Sequence, residues 1–194
     1  MDELYNTYLE QAKMLHKHKK VWKGHMLKRY LPQVEEIIKE HNIDTNSILD
    51  YGCGKSLYHP ESWNATRYDP AVPEWEVKPE KDKKFELVIC TDVLEHIPES
   101  SLPIIIDELF SYSSKYVFAT AATKPAGKVL PNGMNAHATV KPKEWWMELF
   151  SKYDSNKYTV DFTEKDPKHF KKYSDTGKRK VPGETKGGFA YNDK

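Results

Sequence analysis

The chain has 194 residues, of which 38% are hydrophobic and 30% charged, and its formal net charge at pH 7 is +1. This length fits one domain, and a chain of this size folds without needing a disulfide or a metal. The near-neutral charge does not favour a nucleic-acid binder, although a local basic patch remains compatible with one. Both cysteines lie in apolar runs, and no segment approaches the roughly 20 apolar residues of a membrane span. We therefore expect a cytoplasmic single-domain protein that does not enter a membrane.

Helical spacing of apolar residues predicts two helices near the N-terminus. The first covers residues 4–20, where leucine, tyrosine and alanine recur every three or four positions. The second covers residues 26–41, with a wide apolar stripe opposite a run of charged side chains. Together they predict a helical extension over residues 1–45.

Strands and helices alternate in the rest of the chain. Apolar runs predict strands at residues 47–51, 67–69, 85–90, 116–120 and 158–162, with at most one very short strand at 76–77. Helical patterns occupy residues 102–110 and 143–150, and a long loop covers residues 122–141. We expect residues 170–173 to pair with the strand at 158–162, and residues 174–194 to form a flexible tail. This alternation predicts an α/β fold with a mostly parallel sheet over residues 46–173.

Two strand ends carry the residues of a nucleotide pocket. In a doubly wound sheet, ligands bind beyond the carboxyl ends of the strands, where the strand order reverses. Gly52 and Gly54 follow the first strand and let the backbone turn tightly and approach a ligand closely. Asp69 ends the second strand, where a carboxylate can accept hydrogen bonds from two ribose hydroxyls.

The identity of the nucleotide follows from what the loop lacks. A dinucleotide fingerprint needs a third glycine, and that position is Leu57. A P-loop fails as well, because Leu49 stands where its first glycine would be. The carboxylate of Asp50 would repel a pyrophosphate but suits a ligand with a cationic amino-acid end. Charge therefore favours a sulfonium amino-acid nucleotide over NAD.

These segments carry a family resemblance over residues 48–120. The run from Ile48 to Gly54 resembles the first motif of class I S-adenosylmethionine (SAM)-dependent methyltransferases, and Tyr68-Asp69-Pro70 resembles their ribose-binding acid. Residues 85–96 are similar to their fourth strand and the turn after it. More narrowly, the motifs resemble a little-characterised group of bacterial and phage methyltransferases. The resemblance implies a single Rossmann-like methyltransferase domain over residues 1–194, with helices on both faces of the sheet.

The resemblance also implies SAM as cofactor and a role for each matching residue. Asp50 would reach the amino group of the cofactor, Gly52 and Gly54 would line its amino-acid part, and Asp69 would hold the ribose. The predicted cofactor-binding residues are Asp50, Tyr51, Gly52, Gly54, Asp69, Thr91 and Asp92. Two features depart from the family pattern: Lys55-Ser56 replaces a further glycine, and residues 57–66 are too few for a full crossover helix.

Methyl transfer needs positioning and, for some acceptors, removal of a proton, so histidines near the sheet edge are of interest. His96 and His137 are the predicted catalytic residues, because histidine can act as a base at neutral pH. The alternatives are a His96 that only caps its turn against Glu95, and a loop around His137 held together by its own polar groups. Asn135, His137 and Trp145 are the predicted substrate contacts, and one of Trp145 and Trp146 is expected to pack in the core.

Other sites are less favoured. Glu95 and His96 could help to bind a metal, but a full ligand set is not evident, so no metal is expected. His16, His18 and His25 could chelate an ion, yet a solvated helix face is the simpler reading. A lysine-rich segment, residues 168–180, could contact nucleic acid, although such charge runs are usually solvated.

The predicted function is SAM-dependent methyl transfer to an unidentified acceptor, expected to be a small molecule. The alternative is a methyltransferase-like domain that binds SAM and serves as a non-catalytic interaction module. An NAD-dependent enzyme is a third reading, and the missing third glycine disfavours it.

Overall fold

The computed structural model describes residues 1–17, 22, 25–55, 58–164, 171–173 and 179–180. The helices are α1 (Glu3–His16), α2 (Met26–Glu40), α3 (Leu102–Tyr112) and α4 (Lys143–Phe150). The strands are β1 (Ile48–Tyr51), β2 (Thr66–Tyr68), β3 (Phe85–Cys90), β4 (Ser113–Ala122), β5 (Lys128–Val129), β6 (Tyr158–Thr163), β7 (Lys171–Tyr173) and β8 (Arg179–Lys180). Short 3₁₀ turns lie at Leu94–His96, Glu99–Ser101 and Ser155–Lys157.

The main sheet has five strands in the order β2-β1-β3-β4-β6, and every neighbouring pair is parallel. The chain moves outward from β1 to β2 and then returns to the other side of β1 with β3. The strand order therefore reverses between β1 and β3, and a crevice opens at their carboxyl ends. This confirms the predicted α/β architecture with a mostly parallel sheet.

Helices cover both faces of this sheet, as predicted. On one face, α3 and α4 pack against the alternate strand residues that include Val88 and Cys90. On the other face, α2 packs against the residues between them, Leu87 and Ile89. A strand buried on both sides must be apolar throughout, which is why β3 stands out in the sequence.

The helix ends follow from local sequence. Asp2 accepts a hydrogen bond from the backbone N–H of Tyr5 at 2.8 Å and so caps the first turn of α1. Pro103 stands in the first turn of α3, where its missing N–H costs nothing. α1 ends at His16, before the predicted limit of residue 20.

Three expectations about the periphery are settled by the described residues. The strand suggested at residues 76–77 does not form, and Val77 lies exposed in a loop. The prediction that residues 170–173 pair with β6 is wrong, because β7 pairs with β5 and β8 in a separate three-stranded sheet. Residues 52–55 and 58–65 contain turns and no helix, in keeping with the shortened first crossover. Apart from β8, the tail predicted at residues 174–194 lies outside the described residues.

Candidate functional site

The glycine loop after β1 packs tightly against the turn after β3. Gly52 has φ +77°, and its N–H donates to the carbonyl of Tyr68 at 2.7 Å. A Cβ at Gly52 would stand 2.3 Å from Cγ2 of Val93, well inside van der Waals contact. Gly54 also has a positive φ of +55°. The loop therefore depends on glycine for its conformation and, at Gly52, for space.

Asp69 ties the end of β2 to this loop. Its Oδ2 accepts the N–H of Gly54 at 2.8 Å, and its Oδ1 accepts the N–H of Ala71 at 2.8 Å. Burial raises the pKa of the carboxyl, while these two N–H donors act in the opposite direction. Each oxygen keeps a second lone pair, so the carboxylate can still accept hydrogen bonds from a ligand.

Asp50, the acid at the end of β1, contacts a residue that sequence reasoning did not select. Nε2 of His59 lies 2.5 Å from Oδ2 of Asp50, and the two side chains are 4% and 5% exposed. His59 comes from the short segment between β1 and β2, which carries no helix where it is described. The lack of room for a crossover helix was the only signal that some other group must pack beside Asp50.

Beyond β3, Asp92 lines the site, and a second carboxyl, that of Glu95, is buried nearby. Asp92 has φ +60°, an unusual value for a non-glycine residue and one often found at functional sites. Its N–H donates to the hydroxyl of Thr120 at 2.9 Å. Glu95 is buried and accepts the N–H of Ala122 at 3.1 Å. Burial, reinforced by the nearby charge of Asp92, raises the pKa of Glu95 well above its usual range.

His96 and His137 lie together, with ring centroids 5.0 Å apart. Nδ1 of His96 lies 2.7 Å from the carbonyl of Ala136, and Nδ1 of His137 lies 2.7 Å from the carbonyl of Lys124. A carbonyl only accepts, so each Nδ1 carries the proton and each Nε2 holds a lone pair.

Both rings favour the neutral form. Burial lowers the pKa of His96, and the charge of Asp92 partly opposes this shift. The pKa of His137 is lowered to about 4, first by burial and then by the neighbouring His96. At neutral pH both Nε2 atoms are therefore available to accept a proton.

Asn135 organises the loop rather than pointing at a ligand. Its Oδ1 accepts the N–H groups of Ala126 and His137, and its Nδ2 donates to the carbonyl of Ala126, all at 2.9–3.0 Å. The alternative of a loop held together by its own polar groups therefore describes Asn135 well. Through the same bonds, however, Asn135 fixes the position of His137.

Of the two tryptophans of α4, one packs in the core as expected, and it is Trp146. Trp145 is half-buried against the same cluster, and Nζ of Lys141 lies 5.2 Å from its ring centroid. Trp145 does not line the cavity that lies beside Asp50 and Asp69.

One cavity joins the cofactor-binding candidates to His96. It encloses about 1160 Å³ of empty space, including the open solvent at its mouth. All seven predicted cofactor residues line it, namely Asp50, Tyr51, Gly52, Gly54, Asp69, Thr91 and Asp92. Its far end is lined by His16, Trp22, His96, Lys128 and Leu130. Of the sequence-predicted catalytic pair, His96 reaches the cavity and His137 packs behind it.

The roof of this cavity is α1, which the sequence did not assign to the site. Tyr5, Tyr8, Leu9, Ala12 and His16 line the cavity along one face of the helix. Hydrogen bonds hold α1 against the loop after β4. The hydroxyl of Tyr8 donates to the carbonyl of Asn135, and the side-chain oxygen of Gln11 accepts the N–H of Asn132. A third hydrogen bond joins the hydroxyl of Ser100 to the carboxylate of Asp2.

The expectation that His16 lies on a solvated helix face is wrong, because His16 lines the cavity. Its Nδ1 is buried and has no hydrogen-bond partner among the described residues. Burial lowers the pKa of this ring to about 3, with smaller contributions from Lys55, His96 and Lys128. His25 also lines the cavity, and His18 lies outside the described residues.

The described residues contain neither a cluster of metal ligands nor a membrane-spanning helix. No group of three or more potential metal-ligating side chains is found among them. None of the helices in the described part is long and apolar enough to cross a membrane.

Comparison with known proteins adds one result. A family model described as a methyltransferase domain matches residues 22–162, which include the whole parallel sheet up to Phe162. Searches of curated proteins and of solved structures found no match.

Proposed function

We propose that this chain, which belongs to the methyltransferase domain family, transfers the methyl group of SAM to a small-molecule acceptor. The observation that carries the proposal is the single cavity shared by the strand-end acids Asp50 and Asp69 and by His96. It lies where the strand order reverses, the usual ligand site of such sheets.

The residues at the sheet edge fit the cofactor. Asp69 has lone pairs left for two ribose hydroxyls after accepting its two backbone N–H groups. Asp50 would face the cationic amino group, and the bare Cα of Gly52 leaves room for the loop to close against Val93. When bound, the cofactor supplies a methyl group on a positively charged sulfur, which is already reactive towards a nucleophile.

His96 is the group we assign to proton removal. Its Nδ1 is committed to the carbonyl of Ala136, and no hydrogen bond from the described residues occupies Nε2. Nε2 can therefore take the proton of an acceptor hydroxyl or amine whose oxygen or nitrogen would receive the methyl group, while the electron pair of the broken carbon–sulfur bond would stay on sulfur and S-adenosylhomocysteine would leave. The carboxylate of Asp92 favours the imidazolium that forms, because it already acts to raise the pKa of His96.

His137 and Asn135 support this assignment indirectly, by holding His96 in place. The His137 ring packs edge-on to His96, and Asn135 accepts the His137 backbone N–H at 2.9 Å. We expect these residues to hold the base in place, with Thr91 and Asp92 lining the cavity where the methyl group passes.

A small acceptor suits the room that remains. The roof formed by Tyr5, Tyr8 and Leu9 lies over the cavity, so a folded macromolecule could present only a narrow group to His96. Trp22 stands between His16 and His96, with ring centroids 5.3 Å from each, and offers a flat wall for a planar molecule.

The test uses SAM labelled in its methyl group and cell extract separated into small-molecule and macromolecular fractions. We expect label to enter a small molecule. The variant His96→Asn, whose amide N–H can keep the bond to Ala136, should still bind S-adenosylhomocysteine yet lose about a hundredfold or more in turnover.

Asp69→Asn should lose cofactor binding as well, while His41→Asn, outside the cavity, should match the parent protein. Label found only in protein or nucleic acid would overturn the small-molecule assignment. Binding of S-adenosylhomocysteine without turnover in any fraction would favour the non-catalytic module instead.

A further inference from the structure

The contact between His59 and Asp50 lies on the cofactor side of the cavity. Asp50 lies next to the last residue of β1 and lines the cavity, while His59 packs behind it with its ring 6.3 Å from that of Trp63. Their 2.5 Å contact is nearly closed to solvent. A buried carboxylate is costly unless it is hydrogen-bonded, and His59 supplies such a bond to Asp50.

Arg67 determines which nitrogen of His59 carries the proton. Nε of Arg67 lies 3.4 Å from Nδ1 of His59, and a guanidinium can only donate. Nδ1 therefore accepts, and in the neutral ring Nε2 carries the hydrogen that is donated to Asp50. Arg67 is itself held in β2 directly opposite Asp50, with its guanidinium 5.0 Å from the ring centroid of Trp75.

The bond leaves the two oxygens of Asp50 in different situations. Oδ2 receives His59, whereas no hydrogen bond from the described residues uses Oδ1. A carboxylate held at one oxygen cannot rotate freely, so the other oxygen keeps a fixed direction. We propose that His59 is a positioning residue that fixes Asp50 to receive the α-ammonium group of the cofactor, a role that rests on the function proposed above.

This role also explains how Asp50 is oriented although the described part of the segment between β1 and β2 forms no helix. The described part of that segment, residues 52–55 and 58–65, contains only turns. Side chains at positions 59 and 67 then supply the orientation of Asp50 that backbone packing alone does not provide.

The experiment compares two probes that differ in the amino-acid end, which carries the α-ammonium group. S-adenosylhomocysteine carries the α-ammonium group, and 5′-methylthioadenosine keeps the adenosine and thioether but lacks the amino-acid end. We would measure both affinities by calorimetry for the parent protein, His59→Leu, His59→Gln, Asp50→Asn and the matched control His41→Leu, whose ring lies outside the cavity against Tyr116.

We expect His59→Leu to weaken S-adenosylhomocysteine by about tenfold, the size of loss typical of a hydrogen bond to a charged group. Its affinity for 5′-methylthioadenosine should stay within twofold of the parent. His59→Gln, whose amide nitrogen can replace Nε2–H, should recover most of the loss, and His41→Leu should change neither affinity.

Equal weakening of both probes by His59→Leu would overturn the proposal, since a space-filling residue would act that way. So would a His59→Gln variant no better than His59→Leu. If His59→Leu fails to fold, the Gln variant and Asp50→Asn still decide. If Asp50→Asn leaves S-adenosylhomocysteine binding intact, the cofactor assignment of Asp50 fails, and that outcome differs from failure of His59 alone.

Discussion

Replacement of Gly52 by alanine tests the packing of the glycine loop most directly. The new methyl group would lie 2.3 Å from Cγ2 and 3.0 Å from Cγ1 of Val93. The backbone at this position also has φ +77°, which an L-residue with a side chain rarely adopts. Two separate penalties therefore fall on one substitution.

Each penalty has a known scale. A left-handed conformation costs an L-residue about 1–2 kcal/mol, and overpacking by one carbon costs about 1–3 kcal/mol. We expect Gly52→Ala to lower the free energy of unfolding by about 2–5 kcal/mol. For a chain of this size, that corresponds to a fall in Tm of roughly 4–20 °C.

Gly133 provides the matched control. It also has a positive φ, of +97°, but nothing lies within 4 Å of the Cβ that alanine would add. Gly133→Ala therefore pays only the conformational penalty, and the difference between the two variants isolates the clash. Urea unfolding followed by circular dichroism would give both free energies, with thermal melts as a second measurement.

The double variant Gly52→Ala/Val93→Ala removes the clashing methyls. We expect it to recover about 1–3 kcal/mol relative to the sum of the two single changes. If the two changes are additive within about 0.5 kcal/mol, or if Gly52→Ala costs no more than Gly133→Ala, the tight contact with Val93 is refuted.

Three further predictions follow from the histidines and the loop. Because burial lowers the pKa of His96 below 6.5, kcat/KM should be level at pH 7–8 and fall on acidification as His96 gains a proton. His96→Asn should lose this acid limb; an unchanged limb would remove His96 as the base. The folded-state pKa of His16 is about 3 and its unfolded value about 6.5, so the unfolded chain binds the extra proton between these values. The stabilisation that comes from burying neutral His16 is therefore fully present above about pH 6.5, and it is lost as the pH falls towards 3. His16→Phe should reduce the slope of unfolding free energy against pH in that window by up to about 1.4 kcal/mol per pH unit, and an unaltered slope would contradict the burial of His16. Asn135→Leu removes three hydrogen bonds and should cost about 2–4 kcal/mol, measured by urea unfolding, with Asn135→Asp intermediate because its oxygens can still accept two N–H groups. Equal losses of unfolding free energy in these two variants would show that the hydrogen bonds of the Asn135 side chain do not hold the loop.

The sheet and its pocket were largely predictable from the sequence. β3 was located to the residue because a strand buried on both faces must be apolar throughout. Asp50 and Asp69, which line the cavity, could be selected because each is an acid near the carboxyl end of a predicted strand, where ligands bind in such sheets. α4 was likewise placed at residues 143–150 from its apolar spacing alone.

What escaped prediction depends on contacts between distant segments. The cavity-facing residues of α1, such as Tyr5 and His16, look like any amphipathic helix, and nothing local shows which surface they will cover. His59 was passed over because a histidine before a proline in a short segment carries no motif. The pairing of β7 with β5 joins two short segments far apart in sequence, and hydrophobic periodicity does not encode such a pairing.

The position of α1 has a further consequence for how specificity could change. The helix ends at His16, before the matched family segment begins at residue 22, yet its residues cover the cavity that this segment forms. The residues that we assign to the cofactor thus lie in one stretch of chain, and much of the cavity roof lies in another. If the function proposed above holds, exchanging residues 1–16 between related proteins should change which acceptor is admitted without changing the residues assigned to the cofactor, so the N-terminal helix is a natural unit for redesign.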